Sequence, residues 1–199
     1  MTPVLQTGGL GAVILAAGAS VRMGRPKSLL LTPSGETFVG RIQAVLAAAG
    51  LDPVVIVARR DLEDAIAAAV PRARVVVNAD PGRGQLWSLL VGLDALGPCE
   101  AAMVTLVDLP LVRVETVQAI VDAWRRSGAP LVRPVHAGRH GHPVIFGAPL
   151  LAALKHADPV AGARPVVHAF AHEAVDVLVD DPGTVQDVDT PGDYLSLRT

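Results

Sequence analysis

Short apolar runs alternate along the chain with longer stretches in which apolar residues recur at helical spacing. Four runs rich in valine and alanine, at residues 12–16, 53–57, 74–77 and 102–107, predict strands that are buried on both faces. The stretches between and after them, at 37–49, 62–70, 85–96 and 114–126, predict helices. This alternation predicts an α/β fold in three layers, with a mostly parallel sheet covered by helices on both faces.

The pattern changes in the last third of the chain. Two further apolar runs, at 131–136 and 142–146, flank the segment Ala-Gly-Arg-His-Gly, which is typical of a β-hairpin and predicts a small β-ribbon. Helices near 149–156 and 165–172, a strand near 175–179 and a short helix from Pro191 complete the prediction. Because no repeat and no long linker divides the sequence, residues 1–199 are predicted to form one domain.

Composition narrows the class of protein. The net charge of -2 does not provide the positive field that nucleic acids or anionic membranes attract. No apolar run approaches the roughly 20 residues that span a bilayer, and no basic segment precedes the first strand as a secretory signal requires. Cys99 is the only cysteine, so an internal disulfide and a thiolate metal cluster are excluded. We therefore expect a cytoplasmic protein whose partners are small molecules.

A glycine-rich loop follows the first predicted strand, where open α/β sheets bind ligands. It reads Leu15-Ala-Ala-Gly18-Ala-Ser-Val-Arg22-Met-Gly-Arg-Pro-Lys27. The small residues allow the backbone to approach a phosphate, and Arg22 and Lys27 add charge suited to a triphosphate. The spacing does not match the phosphate loop of kinases, and the dinucleotide fingerprint is absent.

Two aspartates follow apolar segments far apart in the sequence. Asp108 ends a predicted buried strand, and Asp189 precedes the last predicted helix. Magnesium prefers one or two carboxylates together with phosphate oxygens, so this pair predicts a magnesium site. The alternative is that each residue caps a loop or helix.

Three histidines, His136, His140 and His142, lie within seven residues and raise the alternative of a zinc site. A closed zinc site needs a fourth ligand, and no cysteine is near, so we do not favour zinc. His156, His168 and His172 have no motif around them and are interpreted as surface histidines.

The glycine-rich run resembles the signature L-A-A-G-x-S-x-R-M-G-x-x-K of the MobA-like nucleotidyltransferase superfamily, with every fixed position filled. Asp108-Leu-Pro110 and Asp187-Val-Asp189-Thr-Pro-Gly-Asp193 resemble two further motifs of that superfamily. The segment from Gly138 to Val144 resembles the G-x-x-G-H-P-V ribbon of its cytidylyltransferase branch. The resemblance extends from Ala12 to about Tyr194 and is closest to molybdenum cofactor cytidylyltransferases.

This resemblance implies a Rossmann-like fold of the nucleotide-diphospho-sugar transferase type and specific roles for residues. Arg22 and Lys27 would hold the phosphates, with Asp108 completing the catalytic group, and Asp108 and Asp189 would bind Mg²⁺. Asp187 and Asp193 are interpreted as structural or capping residues, and His142 as a contact of the acceptor. The residues that the resemblance assigns to the nucleotide are Leu15, Ala16, Ala17, Gly18, Asn78, Gly84 and Ser88.

The implied activity is transfer of a nucleoside monophosphate from an NTP, with CTP favoured over GTP, to a phosphorylated acceptor such as molybdopterin. Pyrophosphate would leave, and a molybdoenzyme or its chaperone would be a further partner. Departures from the cofactor enzymes around Pro33–Phe38 and before Gly162 leave the acceptor open. The alternatives are an isoprenoid- or sugar-phosphate nucleotidyltransferase and a nucleotide-binding module without catalysis.

Overall fold

The computed structural model describes residues 9–197, and the eight strands in this part of the chain form one sheet. In chain order the strands are β1 (Leu10–Ala16), β2 (Val54–Ala58), β3 (Arg74–Val77), β4 (Ala101–Leu106), β5 (Leu131–His136), β6 (Arg139–His140), β7 (Val144–Gly147) and β8 (Ala174–Leu178). The helices of the described part are α1 (Phe38–Ala48), α2 (Glu63–Ala69), α3 (Gln85–Leu96), α4 (Val114–Ser127), α5 (Ala148–Leu154), α6 (Arg164–Ala169) and α7 (Pro191–Ser196).

The order of the strands places a crevice at the carboxyl end of β1. The sheet runs β3-β2-β1-β4-β7-β5-β6, and β8 pairs with β5. β1 lies between β2 and β4 and is parallel to both. The chain leaves β1 towards β2 on one side and later returns to β4 on the other, which is the arrangement that opens a ligand crevice in doubly wound sheets.

Side chains alternate between the two faces of the sheet and fill two apolar layers. On β1, Val13 and Leu15 pack with residues of α3 and α5, whereas Ile14 packs with residues of α1 and α4. Both layers are closed to solvent, since Val13 and Ile14 are 0% exposed. The three-layer α/β arrangement predicted from the sequence is confirmed.

Gly92, in the middle of α3, lets this helix lie directly on the sheet. A Cβ atom at this position would lie 2.5 Å from Cγ1 of Val13 and 2.8 Å from Cγ2 of Val57. Such distances are shorter than carbon atoms tolerate, so a larger residue would push α3 away from β1 and β2. The close contact fixes where α3 begins, beside the carboxyl end of β1.

Two details differ from the sequence-based prediction. β3 was predicted to be buried on both faces, but it forms the sheet edge, with Arg74 exposed and Val75–Val77 only half-buried. The predicted hairpin exists between β5 and β6, where Ala137 and Gly138 have φ of 48° and 76°. Its continuation, β7, is inserted between β4 and β5 as an antiparallel strand of the main sheet. All four residues of β7 are buried, which explains this position.

The secretory-signal prediction concerns residues 1–8 in part, and these lie outside the described residues. Within residues 9–197, none of the helices has the length and apolar character needed to cross a membrane.

Candidate active site

The glycine-rich loop after β1 is folded around Ser20. The Ser20 carbonyl accepts hydrogen bonds from the amides of Met23 and Gly24, each at 3.1 Å, and the Ser20 hydroxyl accepts one from the amide of Lys27 at 3.2 Å. Ser20 and Gly24 have φ of 53° and 72°. Gly18 is exposed, with nothing within 4 Å of where a Cβ would lie. The turn therefore holds Lys27 in place while the backbone at Gly18 stays open to a ligand.

Lys27 joins the two aspartates predicted from separate motifs. Its Nζ lies 3.2 Å from Oδ2 of Asp108 and also donates a hydrogen bond to Oδ1 of Asp189. Arg22 completes the group, with its Nη2 at 2.6 Å from Oδ2 of Asp189. Only 10% of the Lys27 side chain is exposed, against 71% for Arg22. The structure thus brings together Arg22, Lys27, Asp108 and Asp189, two cations and two anions.

The charges of this group act on the carboxylates. The hydrogen bond from Lys27 lowers the pKa of Asp189, and the charges of Lys27 and Arg22 add to this effect. Asp187 shows the opposite effect: burial raises its pKa, and the negative charges of Asp108 and Asp189 raise it further. Asp187, interpreted as structural or capping, therefore lies within the electrostatic reach of the site. The motif that contains both residues does not indicate that the pKa values of Asp187 and Asp189 shift in opposite directions.

Asp193 caps α7, as predicted. Its Oδ2 accepts hydrogen bonds from the amides of Asp189 and Thr190, at 3.0 and 2.7 Å, and from the Thr190 hydroxyl. The Thr190 hydroxyl in turn accepts from the Asp193 amide, which closes a capping box. Because Asp193 binds the amide of Asp189, the cap also fixes the backbone from which the Asp189 carboxylate extends.

The residues at this position fit a divalent cation. Oδ1 of Asp108 is buried and has no hydrogen-bond partner within the part of the chain that the structure describes. A buried carboxylate oxygen left in this way is costly unless it binds a donor or a cation. No set of three or more His, Cys, Asp or Glu residues among 9–197 is arranged to hold a metal. Asp108 and Asp189 would then supply two oxygen ligands, and substrate phosphates and water the rest, as magnesium prefers.

A cavity of about 250 Å³ opens beside the charged group formed by Arg22, Lys27, Asp108 and Asp189. Five of the seven residues assigned to the nucleotide line it: Leu15, Ala17, Gly18, Gly84 and Ser88. Lys27 and Asp108 also line this cavity. Gly84, with φ of 88°, precedes the first turn of α3 and directs free backbone amides towards the space. Direct contact of these residues with a nucleotide stays a prediction.

Ala16 and Asn78 do not line the cavity. Ala16 is buried at the end of β1. Asn78 is 1% exposed, donates a hydrogen bond of 2.9 Å to the Ser88 hydroxyl and accepts one of 2.9 Å from the amide of Asp80. Asn78 thus holds the segment before α3 and the Ser88 side chain, and in this arrangement it supports the cavity wall from behind.

His142 lines a second and larger cavity of about 610 Å³. The two cavities are adjacent and share a wall, since Leu15, Gly84, Gln85 and Leu106 line both. Burial lowers the pKa of His142, while the negative charge of Asp108 acts in the opposite direction. His142 is therefore uncharged near neutral pH and can donate or accept a hydrogen bond in the larger cavity.

The other two histidines of the ribbon have separate partners. His136 Nδ1 lies 3.1 Å from the carbonyl of Val179, and His140 Nε2 lies 3.2 Å from Oδ2 of Asp176. His168, interpreted as a surface residue, lines the larger cavity. The cavity position of His168 gave no signal in the sequence, because it depends on how α6 packs.

Trp87, in the first turn of α3, contacts a cation. The Arg83 guanidinium lies over the Trp87 ring, 3.5 Å from its centre, a cation–π arrangement. Arg83 also lines the larger cavity. The aromatic ring therefore orients a cation at the cavity mouth.

Comparison with known proteins agrees with this geometry. A family model described as "MobA-like NTP transferase domain" matches residues 12–175. The nicotine blue oxidoreductase of Paenarthrobacter nicotinovorans is 32% identical over 187 residues, which cover 89% of this chain and 91% of that protein. The molybdenum cofactor cytidylyltransferase of Escherichia coli K12 is 24% identical over 95% of both chains.

A third relative matches over a shorter segment. The 2-C-methyl-D-erythritol 4-phosphate cytidylyltransferase of Streptomyces coelicolor is 37% identical over 132 residues, which cover 62% of this chain and 48% of that protein. The chain thus matches about half the length of this relative.

Among solved structures, Rv0371c from Mycobacterium tuberculosis H37Rv superposes with a TM-score of 0.83 at 30% identity, covering 97% of this chain and 98% of that one. A structure of Rv0371c in complex with manganese superposes with a TM-score of 0.77 at 28% identity, covering 95% and 97%.

Proposed function

Since the chain belongs to the MobA-like NTP transferase family, we propose that it transfers a nucleoside monophosphate from an NTP to a phosphorylated acceptor and releases pyrophosphate. The observation that carries this proposal is the position of Lys27 between Asp108 and Asp189, at a cavity lined by the glycine-rich loop and the start of α3. This cavity suits a triphosphate, because its lining combines the glycine-rich loop and the start of α3 with Lys27 and Asp108. Arg22 and Asp189 belong to the same charged group and add a second cation and a second oxygen ligand for a metal.

The reaction requires positioning and charge neutralisation more than proton transfer. An oxygen of the acceptor phosphate attacks the α-phosphorus, the new P–O bond forms, and the bond to pyrophosphate breaks on the opposite side. The acceptor phosphate is already anionic near neutral pH, so no general base is needed.

The two cations have different roles in this proposal. Lys27 is buried and held by two carboxylates, so it offers a fixed positive charge to the phosphates. Arg22 is exposed and forms an ion pair with Asp189, so its guanidinium can turn towards an incoming triphosphate. Asp108 and Asp189 would hold Mg²⁺, which supplies neutralisation of phosphate charge.

The proposed identity of the acceptor rests on the relatives, and its proposed binding position is the larger cavity. A molybdopterin-type acceptor is favoured by the cytidylyltransferase that matches nearly the whole chain. CTP is the expected nucleotide for the same reason, and GTP is the alternative. His142 lines the larger cavity, and in this proposal it contacts the acceptor there.

Pyrophosphate release tests this proposal. The chain is incubated with Mg²⁺, each of the four NTPs, and molybdopterin or its molybdenum-loaded form. Release with CTP or GTP supports the proposal and identifies the nucleotide. Release only when 2-C-methyl-D-erythritol 4-phosphate replaces molybdopterin changes the acceptor. Binding of an NTP without release for any acceptor contradicts transfer and supports a nucleotide-binding module.

A second candidate function is oxidoreduction of an aromatic compound. It is favoured by the nicotine blue oxidoreductase, which is 32% identical over 89% of this chain, and by the apolar walls of the larger cavity. Turnover of such a compound with a soluble electron donor or acceptor, without pyrophosphate release from any NTP, would favour this candidate over transfer.

A further inference from the structure

The larger cavity combines an apolar floor with a cationic rim. Its floor is formed by side chains of α3 and of the central strands, among them Leu89, Val104, Leu131 and Phe146. Its rim carries three arginines, Arg83, Arg133 and Arg164. Within the described part of the chain, no aspartate or glutamate is among the residues that line it. A cavity of about 610 Å³ is of the size that holds a small organic ligand, and its charge favours an anionic one.

One of the three arginines is fixed in place by a carboxylate behind the cavity wall. Arg133 on β5 pairs in register with Asp176 on β8, and its Nε donates a 2.7 Å hydrogen bond to Oδ1 of Asp176. Only 16% of the Arg133 side chain is exposed. Among residues 9–197, the two terminal amino groups of Arg133 have no protein acceptor.

Asp176 binds a second residue of the cavity wall with its other oxygen. Nε2 of His140 lies 3.2 Å from Oδ2 of Asp176. Partial burial raises the pKa of Asp176, but the hydrogen bonds and charges of Arg133 and His140 outweigh it, so the pKa lies below its usual value. Asp176 is therefore ionised near neutral pH and connects Arg133 to His140.

We propose that the larger cavity binds a ligand whose anionic group contacts the two terminal amino groups of Arg133. The uncharged, flat body of the same ligand lies on the apolar floor. Asp176 is the positioning residue for Arg133. A guanidinium held through Nε presents its two terminal N–H groups as a fork, which is the geometry that carboxylates, sulfonates and phosphates accept. The inference rests on the proposed function in one respect: it gives the acceptor a second anionic group, besides the phosphate that reacts near Lys27.

Two fluorescent dyes test the proposal without nucleotide or metal. Anilinonaphthalene sulfonate has an aromatic body and one anionic group, and phenylnaphthylamine has a similar body without charge. Both are titrated into the full chain and into Arg133→Gln, with Arg125→Gln as the matched control. Arg125 is an exposed arginine that also lies near an aspartate, Asp122, but on α4 away from the cavity.

Arg133→Gln is expected to weaken binding of the sulfonate dye about tenfold, the effect of losing a hydrogen bond to a charged group. Binding of the uncharged dye stays within about twofold for this variant, and Arg125→Gln changes neither dye. Equal losses for both dyes in Arg133→Gln, an equal loss in Arg125→Gln, or no binding of the sulfonate dye to the unmodified chain would each overturn the proposal.

The variant Asp176→Ala distinguishes a role of Asp176 in positioning Arg133 from a purely electrostatic effect of its charge on anion binding. Removing a negative charge near the cavity strengthens anion binding if only Coulomb attraction matters. If Asp176 positions Arg133, the same variant weakens binding of the sulfonate dye several-fold, and Asp176→Asn, which keeps an oxygen acceptor for Nε, restores part of it. Stronger binding in Asp176→Ala would refute the positioning role.

The dye results and the pyrophosphate assay fail independently. Selective loss in Arg133→Gln without pyrophosphate release from any NTP leaves this binding site in place and removes the proposed function. Pyrophosphate release by a chain whose Arg133→Gln variant binds both dyes unchanged keeps the proposed function and removes this inference.

Discussion

Nζ of Lys27 lies 3.2 Å from Oδ2 of Asp108, although 81 positions separate the two residues in the sequence. The contact exists because β1 and β4 are neighbouring parallel strands, with Leu15 opposite Leu106. The segments that leave their carboxyl ends therefore meet at one edge of the sheet. The buried ammonium is thereby placed between this carboxylate and that of Asp189, which comes from the end of the chain.

Lys27→Ala is expected to lower the rate of pyrophosphate release at least about 100-fold, the loss typical of removing one fixed stabilising charge or donor from an active site. The fold is expected to persist, as checked by circular dichroism. The matched control is Lys155→Ala, because Lys155 is the only other lysine of the chain and is exposed. A rate for Lys27→Ala close to that of the control would remove Lys27 from the catalytic group.

Asp108→Asn keeps the size of the side chain and removes its charge. We expect about a 100-fold or greater loss of metal-dependent turnover, because the buried Oδ1, which has no hydrogen-bond partner among residues 9–197, is no longer a strong ligand. Turnover is measured over a range of Mg²⁺ and Mn²⁺ concentrations, with the exposed Asp94→Asn as the control. An unchanged metal dependence in Asp108→Asn would contradict the assignment.

His142→Ala is expected to raise the KM for the acceptor about fivefold to tenfold, the effect of one lost hydrogen bond, and to leave the KM for the NTP nearly unchanged. Because burial lowers the pKa of His142, any step in the acceptor KM that is lost in His142→Ala should lie below the ordinary histidine pKa of about 6.5. Steady-state kinetics between pH 5.5 and 8 measure both, a range chosen around that value. Equal effects on both KM values would place His142 elsewhere than at the acceptor.

Gly92→Ala is expected to destabilise the protein by about 1–3 kcal/mol through overpacking, although alanine is the better helix former. The reason is the 2.5 Å distance to Val13. Gly192→Ala in α7 is the control, because a Cβ there would meet its nearest neighbour, the Thr190 hydroxyl, at an ordinary 3.6 Å. Urea unfolding compares the two variants. If both were stabilised, the close contact of α3 with the sheet would be wrong.

The stability contributed by Asp176 is expected to depend on pH. Its pKa is lowered in the folded state, so its ion pairs stabilise the protein above the unfolded-state pKa of about 3.9 and cease to do so as the pH falls through the folded-state pKa. Asp176→Asn should therefore be less stable than the unmodified chain at pH 7, with the difference shrinking below about pH 4. Urea unfolding at several pH values measures this difference; a difference that grows on acidification would contradict the sign of the pKa shift.

The sequence allowed most elements to be predicted, because their period and caps are local. Helix α3 was predicted with its observed bounds, and α1 begins after Thr37, whose side chain accepts the amide of Gly40 as a cap. The position of β7 was not predictable in this way. An apolar run of four residues shows that a strand is buried but not which strands lie beside it, and β7 pairs with β4 across about forty residues.

The site residues that lie in sequence motifs could be predicted, whereas those brought together by the pairing of distant strands could not. Arg22, Lys27, Asp108 and Asp189 lie in motifs, and the structure brings them together. Arg133 and Asp176 are single charged residues in otherwise apolar strands, and this is the one feature of the sequence that indicates a special role for them. Their contact depends on the register between β5 and β8, and the sequence does not specify the register of two parallel strands so far apart.

The shared wall of the two cavities also bears on how this family can diversify. Leu15, Gly84, Gln85 and Leu106 border both spaces, whereas the lining residues between positions 131 and 171 border only the larger one. Mutations in that later segment can reshape the larger cavity without altering the residues around Lys27, where we propose that the triphosphate binds. In such an architecture, new chemistry at one end of the crevice can be selected while the other end is inherited unchanged.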